Sequence, residues 1–367
     1  MRVLYDHQTF SYQRFGGNSR YFYELLATFH GQGNPSFDLA VETSPTEYLK
    51  GAPFFAGRAS NHMDLPHLLA RYARNEVATR LAARKPHDVF HTTFYYPTAL
   101  HGAKRAKLVV TVLDMIPELF PESFDLRSAY GRLVTKPWID GKKTLCERAD
   151  AILAISENTK RDVVKFYGID PDRITVTHLA NRLVADASTP RIEGLPERYV
   201  LFVGTRNTYK NFGVFLEGVA GLQLPVVCIG GGPFDAIEQA KIASLGIDAM
   251  QRNVADGELP GCYAHAAAFV FPSKYEGFGI PILEAFACGA PTIVARASCF
   301  PEIAGDAARY FEPDDPADLA RVLAEVIADP SDLRERGRAR NATFTWERCA
   351  AQTLAVYESL ATIGRAA

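Results

Sequence analysis

Residues 274–294 read KYEGFGIPILEAFACGAPTIV, and this stretch decides the fold. The apolar run AAAFVFPS before it has the length and bounded character of a buried strand. KYEGFGIP is then the loop at that strand's carboxyl end. Pro281 suits a first helical turn, where the missing N–H removes no hydrogen bond. ILEAFA continues the helix, Gly289 stops it, and APTIVA begins the next strand. A strand–loop–helix–strand unit of this length implies parallel strands with a crossover helix.

Working outward, the same alternation fills the chain. RVLYD, FDLAVET, DVFHTT, KLVVTVLD, AILAIS and ITVTHLA are strands of a first series. NSRYFYELLATFHGQ and LPHLLARYARNEVATRLAAR are helices between them. A second series runs through YVLFVGT, PVVCIGGG, DAMQRNV, AAAFVFPS, APTIVA and ARYFEP. The expected fold class is α/β, with two doubly wound Rossmann-like domains facing across a cleft, where open α/β sheets take ligands. The first domain is expected over residues 1–182, a linker over 183–197, and the second domain over 198–345. The C-terminal helix 346–367 is expected to pack back on the first domain. With 367 residues, two or three domains of roughly 150 residues are the starting expectation.

Composition narrows the function. A chain 47% hydrophobic and 22% charged is that of a globular protein with full cores. Its net charge of −2 supplies no global field to recruit nucleic acid, so none is expected as a partner. Six scattered cysteines, without a C-x-x-C pair, are expected to be buried free thiols. Neither a secretory leader nor an apolar run of the roughly 20 residues that span a bilayer is seen, so a cytoplasmic location is expected. The basic run of Arg71, Arg74, Arg80, Arg84 and Lys85 reads as a solvated face. Peripheral contact with anionic lipid at the inner membrane is its second reading.

The chemistry starts from the opening stretch. Backbone N–H groups of Gly277, Phe278, Gly279 and Ile280, at a helix start, suit phosphate or sugar oxygens. Glu276 before the helix and Glu284 inside it can accept hydrogen bonds from hydroxyl groups on either side of such a link. In YVLFVGTRNTYKNF, Arg206 and Lys210 follow a strand and precede a helix, a charge arrangement that fits a diphosphate.

EGFGIPILEAFACGAPTIVA resembles the signature of the retaining glycosyltransferases of family 4, which have the two-domain GT-B architecture. That resemblance implies that Glu276 holds the donor sugar's hydroxyls, Glu284 the nucleotide ribose, and the 277–280 amides the sugar and diphosphate. It implies that Arg206 and Lys210 neutralise the leaving nucleotide, with Lys210-Asn211 matching the usual ending and Arg206 lying later after the glycine than in many relatives. Gly16 and Gly17 in FSYQRFGGNSRYFYELL resemble the amino-terminal glycine loop near the donor phosphates, with Arg20 at the start of the following helix. Where the family often carries His-Asp, this chain has Leu113-Asp114, which leaves Asp114 as partner or weak base for an acceptor hydroxyl. His91 and Tyr95 in DVFHTTFYYP end a strand and are candidates for the acceptor side, although a lone His in such a place is more often structural.

The expected activity is therefore transfer of a hexose from a nucleotide diphosphate sugar, GDP-mannose preferred, to a glycan or lipid-linked glycan in cell-surface polysaccharide synthesis. No cofactor and no metal are expected. Asp170-Pro171-Asp172 formally reads D-x-D, but lies in a helix–strand turn and is expected to be a cap. IGGGPFDAIEQA lacks a full dinucleotide fingerprint and is expected to be a tight strand–helix turn. Two alternatives stand beside this reading: a glycoside hydrolase using Glu276 and Glu284, and a non-catalytic nucleotide-sugar-binding partner subunit.

Overall fold

The structure is a computed structural model that describes residues 1–363. It divides into two units, Met1–Leu179 with the C-terminal helix, and Ala180–Thr345. Each holds a six-stranded, all-parallel sheet.

The first sheet contains β1 (Arg2–Tyr5), β2 (Ser36–Leu39), β3 (Val89–Thr92), β4 (Lys107–Val112), β5 (Ala151–Ala154) and β6 (Ile174–Val176), in the order β2-β1-β3-β4-β5-β6. The central strands are buried along almost their whole length. Parallel sheets are covered on both faces by their crossover helices, so both sets of alternating side chains must be apolar. That physical demand is why these strands read as continuous Val, Ile and Leu runs. Helices α1 (Gly17–Gln32), α2 (Leu65–Ala82), α3 (Lys136–Arg148) and α4 (Glu157–Tyr167) belong to this unit. Asp64 caps α2 by accepting from the His67 N–H, and Ser156 caps α4 through the Thr159 N–H.

The second sheet contains β7 (Val200–Val203), β8 (Val226–Ile229), β9 (Ala249–Arg252), β10 (Ala268–Phe271), β11 (Thr292–Ala295) and β12 (Arg309–Phe311). Its order, β9-β8-β7-β10-β11-β12, reverses direction between β7 and β10. Helices α5 (Phe212–Val219), α6 (Ala236–Ser244) and α7 (Ile280–Ala287) follow β7, β8 and β10. Asp235 and Glu238 form a reciprocal capping box at the start of α6.

Helix α8 (Trp346–Ile363) lies with the first unit, against α1. Buried Tyr357 on α8 reaches Tyr5 of β1 at 2.8 Å and His91 of β3 at 2.5 Å. The end of the expected helix 346–367, residues 364–367, lies outside the described residues. Residues 183–197, expected as a linker, run along the second unit. His265 donates to the Thr189 carbonyl at 3.0 Å and Arg252 to that of Gly194 at 3.2 Å. Gly261 sits so close that an added Cβ would meet the Pro190 carbonyl at 2.6 Å. The polar backbone of this irregular stretch thus finds its partners on the second unit.

Candidate active site

A doubly wound sheet takes its ligands outside the carboxyl ends of the two strands at which strand order reverses, because there the two following loops diverge and leave a crevice. In the second unit these strands are β7 and β10. The loop after β7 carries Arg206 and Lys210, and the loop after β10 carries Glu276. The backbone ties the loops together, with Lys274 N–H donating to the Tyr209 carbonyl at 2.7 Å. Lys210 Nζ consequently lies 2.5 Å from Glu276 Oε1, both side chains being 14% exposed. The ammonium also lies 5.4 Å and 5.5 Å from the ring centroids of Tyr209 and Phe271. A cation and a carboxylate in largely apolar surroundings interact more strongly than in water.

Glu276 is held from behind. Its N–H donates to Ser298 Oγ at 3.2 Å, and its carbonyl accepts from that hydroxyl at 2.7 Å and from Cys299 Sγ at 3.3 Å. Ser298 adopts φ 53°, an unusual conformation for a residue with a side chain, and does so in the loop after β11. Nothing in the local sequence signals this brace.

Gly279 begins α7 at φ 87°, a region that favours glycine, with Gly277 and Phe278 buried before it. Ile280 is half-buried at the first helical position. On α7, Glu284 is only 4% exposed and accepts from the Tyr263 hydroxyl at 3.1 Å. The two glutamates are thus engaged by different groups. Lys210 holds one and Tyr263 the other.

Arg206 corrects an expectation. Its guanidinium donates through Nε to Glu238 at 2.6 Å, and through its terminal nitrogens to the carbonyls of Gly230 at 3.2 Å and of Gly232 and Pro233, both at 2.9 Å. Phe212 and Phe234 lie 5.6 Å and 5.0 Å from it by ring centroid. Gly230, Gly231 and Gly232 all take positive φ, which turns the loop so that its carbonyls converge on this cation. The charge expected to meet phosphate is spent in a structural cage, and only 5% of the side chain is exposed.

In the first unit, sheet order reverses between β1 and β3. Gly16 and Gly17 start α1 in the region after β1. Ser19 N–H donates to Gln13 Oε1 at 3.2 Å, and a Cβ on Gly16 would meet the same atom at 2.6 Å, so the turn closes tightly there. Gly17 has open space around it and Arg20 is half-buried. Asp114, half-buried beyond the end of β4, accepts from the Ile116 N–H at 3.0 Å.

His91 and Tyr95 are not acceptor-side groups. His91 is fully buried, with Nδ1 2.5 Å from Tyr357 Oη and Nε2 2.8 Å from Thr111 Oγ1. Burial lowers its pKa to about 3, so it stays neutral. Tyr95 is 4% exposed, accepts from the Leu113 N–H at 2.9 Å, and has the Lys142 ammonium 5.3 Å from its ring. Burial pushes its hydroxyl well above the usual tyrosine range. Both side chains point into the core from a strand end where a sequence leaves either face open. Lys142, wholly buried, donates to Glu118 at 3.0 Å, and Tyr167 also donates to that carboxylate. This network braces the segment that follows Asp114 and had no signal in the sequence.

Two families of known proteins match the sequence. Residues 15–180 match the one described as Glycosyltransferase Family 4, and residues 189–343 the one described as Glycosyl transferases group 1. A D-inositol 3-phosphate glycosyltransferase of Salinispora arenicola is 30% identical, over 82% of this chain and 75% of that protein. The chain belongs to the family 4 glycosyltransferases.

This glycosyltransferase is also similar to the O-antigen chain mannosyltransferase B of Escherichia coli, at 32% identity over 60% of this chain and 64% of that one. The MMP alpha-(1->4)-mannosyltransferase of Mycolicibacterium hassiacum is 29% identical over 88% of this chain and 84% of its own length. Sucrose-phosphate synthase from Thermosynechococcus elongatus shares the fold, with a TM-score of 0.72 at 18% identity over 98% of both chains. Anabaena Alr3699/HepE, solved in complex with UDP and glucose, does so with a TM-score of 0.71 at 16% identity, covering 98% of this chain and all of that one. The α/β, GT-B fold expected from the opening stretch is the fold of these proteins.

The remaining motifs of the glycosyltransferase are structural. Asp170 accepts from the Asp172 N–H at 2.9 Å, so the D-x-D stretch is a turn cap. The Gly230–Gly232 stretch is the tight turn around Arg206. All six cysteines are free and buried, and burial raises their thiols, Cys146 and Cys228 to about 12. No described helix is long and apolar enough to cross a membrane.

Proposed function

We propose that this glycosyltransferase moves a hexose, mannose from GDP-mannose, onto a hydroxyl of a glycan or lipid-linked glycan, with retention at the anomeric carbon. The observation that carries the reading is the Lys210–Glu276 pair at the carboxyl ends of β7 and β10. A positive group for a diphosphate and a carboxylate for sugar hydroxyls stand side by side where a doubly wound sheet takes a ligand. The mannosyltransferase names of the relatives support the sugar, and the family resemblance supports retention and the nucleotide diphosphate donor.

In this reading the donor replaces the internal ion pair. Its diphosphate takes Lys210 and its hydroxyls take Glu276, so each group exchanges one polar partner for another and neither is left unpaired. The bond between C1 and the phosphate oxygen breaks with its electron pair going to the phosphate. The acceptor oxygen bonds to C1 on the same face, and its proton passes to the departing phosphate. Lys210 balances the negative charge that grows on that oxygen, a role worth several kcal/mol for a well-placed group. Glu284 and the amides at the start of α7 hold the nucleotide side. Asp114 orients the acceptor hydroxyl, and no strong enzyme base is required.

The test is a thermal-shift series with GDP-, UDP-, ADP- and dTDP-sugars, on wild type and Lys210→Ala. Stabilisation by GDP-mannose that disappears in the variant, followed by an α-linked product by NMR, is the expected result. No stabilisation by any nucleotide sugar, or a product of inverted configuration, overturns the reading.

A further inference from the structure

At the end of the first unit opposite Asp114, a cavity of about 270 Å³ is lined by Arg80, Arg84, His101, Lys104 and Arg105. Arg80 and Arg84 lie at the end of α2 and just beyond it, ahead of β3, and the others lie in the short stretch ahead of β4. The cavity therefore sits at the amino ends of the strands, away from the carboxyl ends where a doubly wound sheet takes its ligand.

Its charge is unbalanced. Among the described residues, the side chains of Arg84, Lys85, Lys104 and Arg105 make no ion pair, although the chain as a whole has a net charge of −2. The neighbouring carboxylates are already engaged. Glu76 accepts from Arg80 at 2.8 Å, Asp88 from the Arg2 N–H at 2.7 Å, and Asp150 from Lys107 at 2.9 Å. Arg71, expected in this basic face, is instead buried and donates to the Ser11 carbonyl at 2.6 Å. Lys104 and Arg105 take its place from outside the helix.

The same surface carries exposed apolar side chains. Val77 and Leu81 are 57% and 51% exposed, and Leu69 is 41% exposed. Val77, Arg80 and Leu81 follow helical i, i+3, i+4 spacing, Leu69 falls two turns earlier, and Arg84 lies just past the end of the helix. An apolar ridge flanked by unpaired cations is the pattern of a helix that lies in a bilayer interface. Cations bind head-group phosphates, while the apolar side chains enter the boundary with the acyl chains.

The geometry points to this face as a docking surface for an anionic lipid bilayer. Phosphate groups occupy the Arg84–Lys104–Arg105 cavity, and α2 lies along the membrane with Val77 and Leu81 inserted. The attachment is peripheral and electrostatic, and so it weakens with salt. It does not depend on the nucleotide-sugar reading.

Vesicle flotation of the full chain tests it, comparing phosphatidylcholine with phosphatidylcholine containing phosphatidylglycerol. Wild type is expected to float with the anionic vesicles only, and to be released by salt. Replacing Arg84, Lys104 and Arg105 by Ala lowers partitioning about fivefold per cation removed. Val77→Ser with Leu81→Ser lowers it while leaving the salt dependence in place. Lys210→Ala floats as wild type does, which separates this surface from the donor site. Val77, Leu81, Arg84, Lys104 and Arg105 are exposed, and unchanged circular dichroism and melting confirm that their variants are folded. The proposal is overturned if wild type ignores anionic vesicles, or if the triple variant floats equally well. Calorimetric binding of inorganic phosphate without flotation also overturns it, because the cavity would then serve a soluble anion.

Discussion

Lys210 Nζ stands 2.5 Å from Glu276 Oε1, across two loops that follow adjacent strands. The pair is mostly shielded from solvent, so each charge depends on the other until a ligand replaces it. Removing Lys210 leaves Glu276 without its cation, a loss of about 1–3 kcal/mol. The larger effect is expected in catalysis, where loss of a group that stabilises developing charge typically lowers kcat about 10²–10³-fold. Lys210→Ala should therefore lose far more activity than stability, measured as kcat for transfer beside a denaturation midpoint. If both residues serve one donor complex, Lys210→Ala/Glu276→Ala should fall well short of the product of the single losses. Multiplicative losses would show independent roles.

Arg206 should behave in the opposite way. Its donors hold Glu238 and a turn of three glycines, and it lies beside a stacked pair of phenylalanine rings. Arg206→Ala leaves the Glu238 carboxylate with only the Asp235 N–H and several carbonyls without a donor, which is expected to lower stability by about 2–4 kcal/mol. Lysine cannot reproduce the planar fork, so Arg206→Lys should recover little of that loss. Urea unfolding checks this, and donor affinity in the folded fraction should change less than in Lys210→Ala.

The contrast between Lys210 and Arg206 shows where a sequence stops being readable. Both are cations in one strand–helix loop, and charge and spacing alone assign them one task. What separates them is the carbonyl cage built by Gly230–Gly232, which lies beyond the next strand and depends on three successive positive φ angles. The sheets were legible because strands covered on both faces must be continuously apolar. The placement of Glu276 before α7 and of Glu284 within it was legible because the strand, the glycine turn and Pro281 locate the helix start between them. His91 is the structural residue that a lone His more often is, and Tyr95 was misread because a strand-end position does not reveal which way the side chain faces. The Ser298 brace rests on a single unusual backbone conformation, for which composition supplies no clue.

Gly279 tests how far the start of α7 sets donor binding. Its φ of 87° disfavours any side chain, and an added Cβ would meet Ile282 Cδ1 at 3.1 Å. Gly279→Ala is expected to cost about 1–2 kcal/mol from backbone strain alone. Since the same residue precedes the first turn of α7, nucleotide-sugar affinity should fall with stability. Calorimetric titration at a temperature where the variant is fully folded separates the two effects.

His91 makes the first unit sensitive to acid. Its imidazole is neutral in the fold because burial lowers its pKa to about 3, from an ordinary value of 6.5. In the unfolded chain it takes up a proton below 6.5, whereas the folded protein refuses that proton until near 3. The unfolded state thus binds more protons throughout this window, and stability falls as pH drops through it. At about 1.4 kcal/mol per unit of pKa, the full loss is of the order of several kcal/mol. His91→Gln retains a polar side chain but cannot titrate, so it should be less stable than wild type at neutral pH and show a shallower decline towards acid. Chemical unfolding from pH 7 downward measures both curves. Parallel curves would mean that acid acts through some other group and that His91 does not govern the decline.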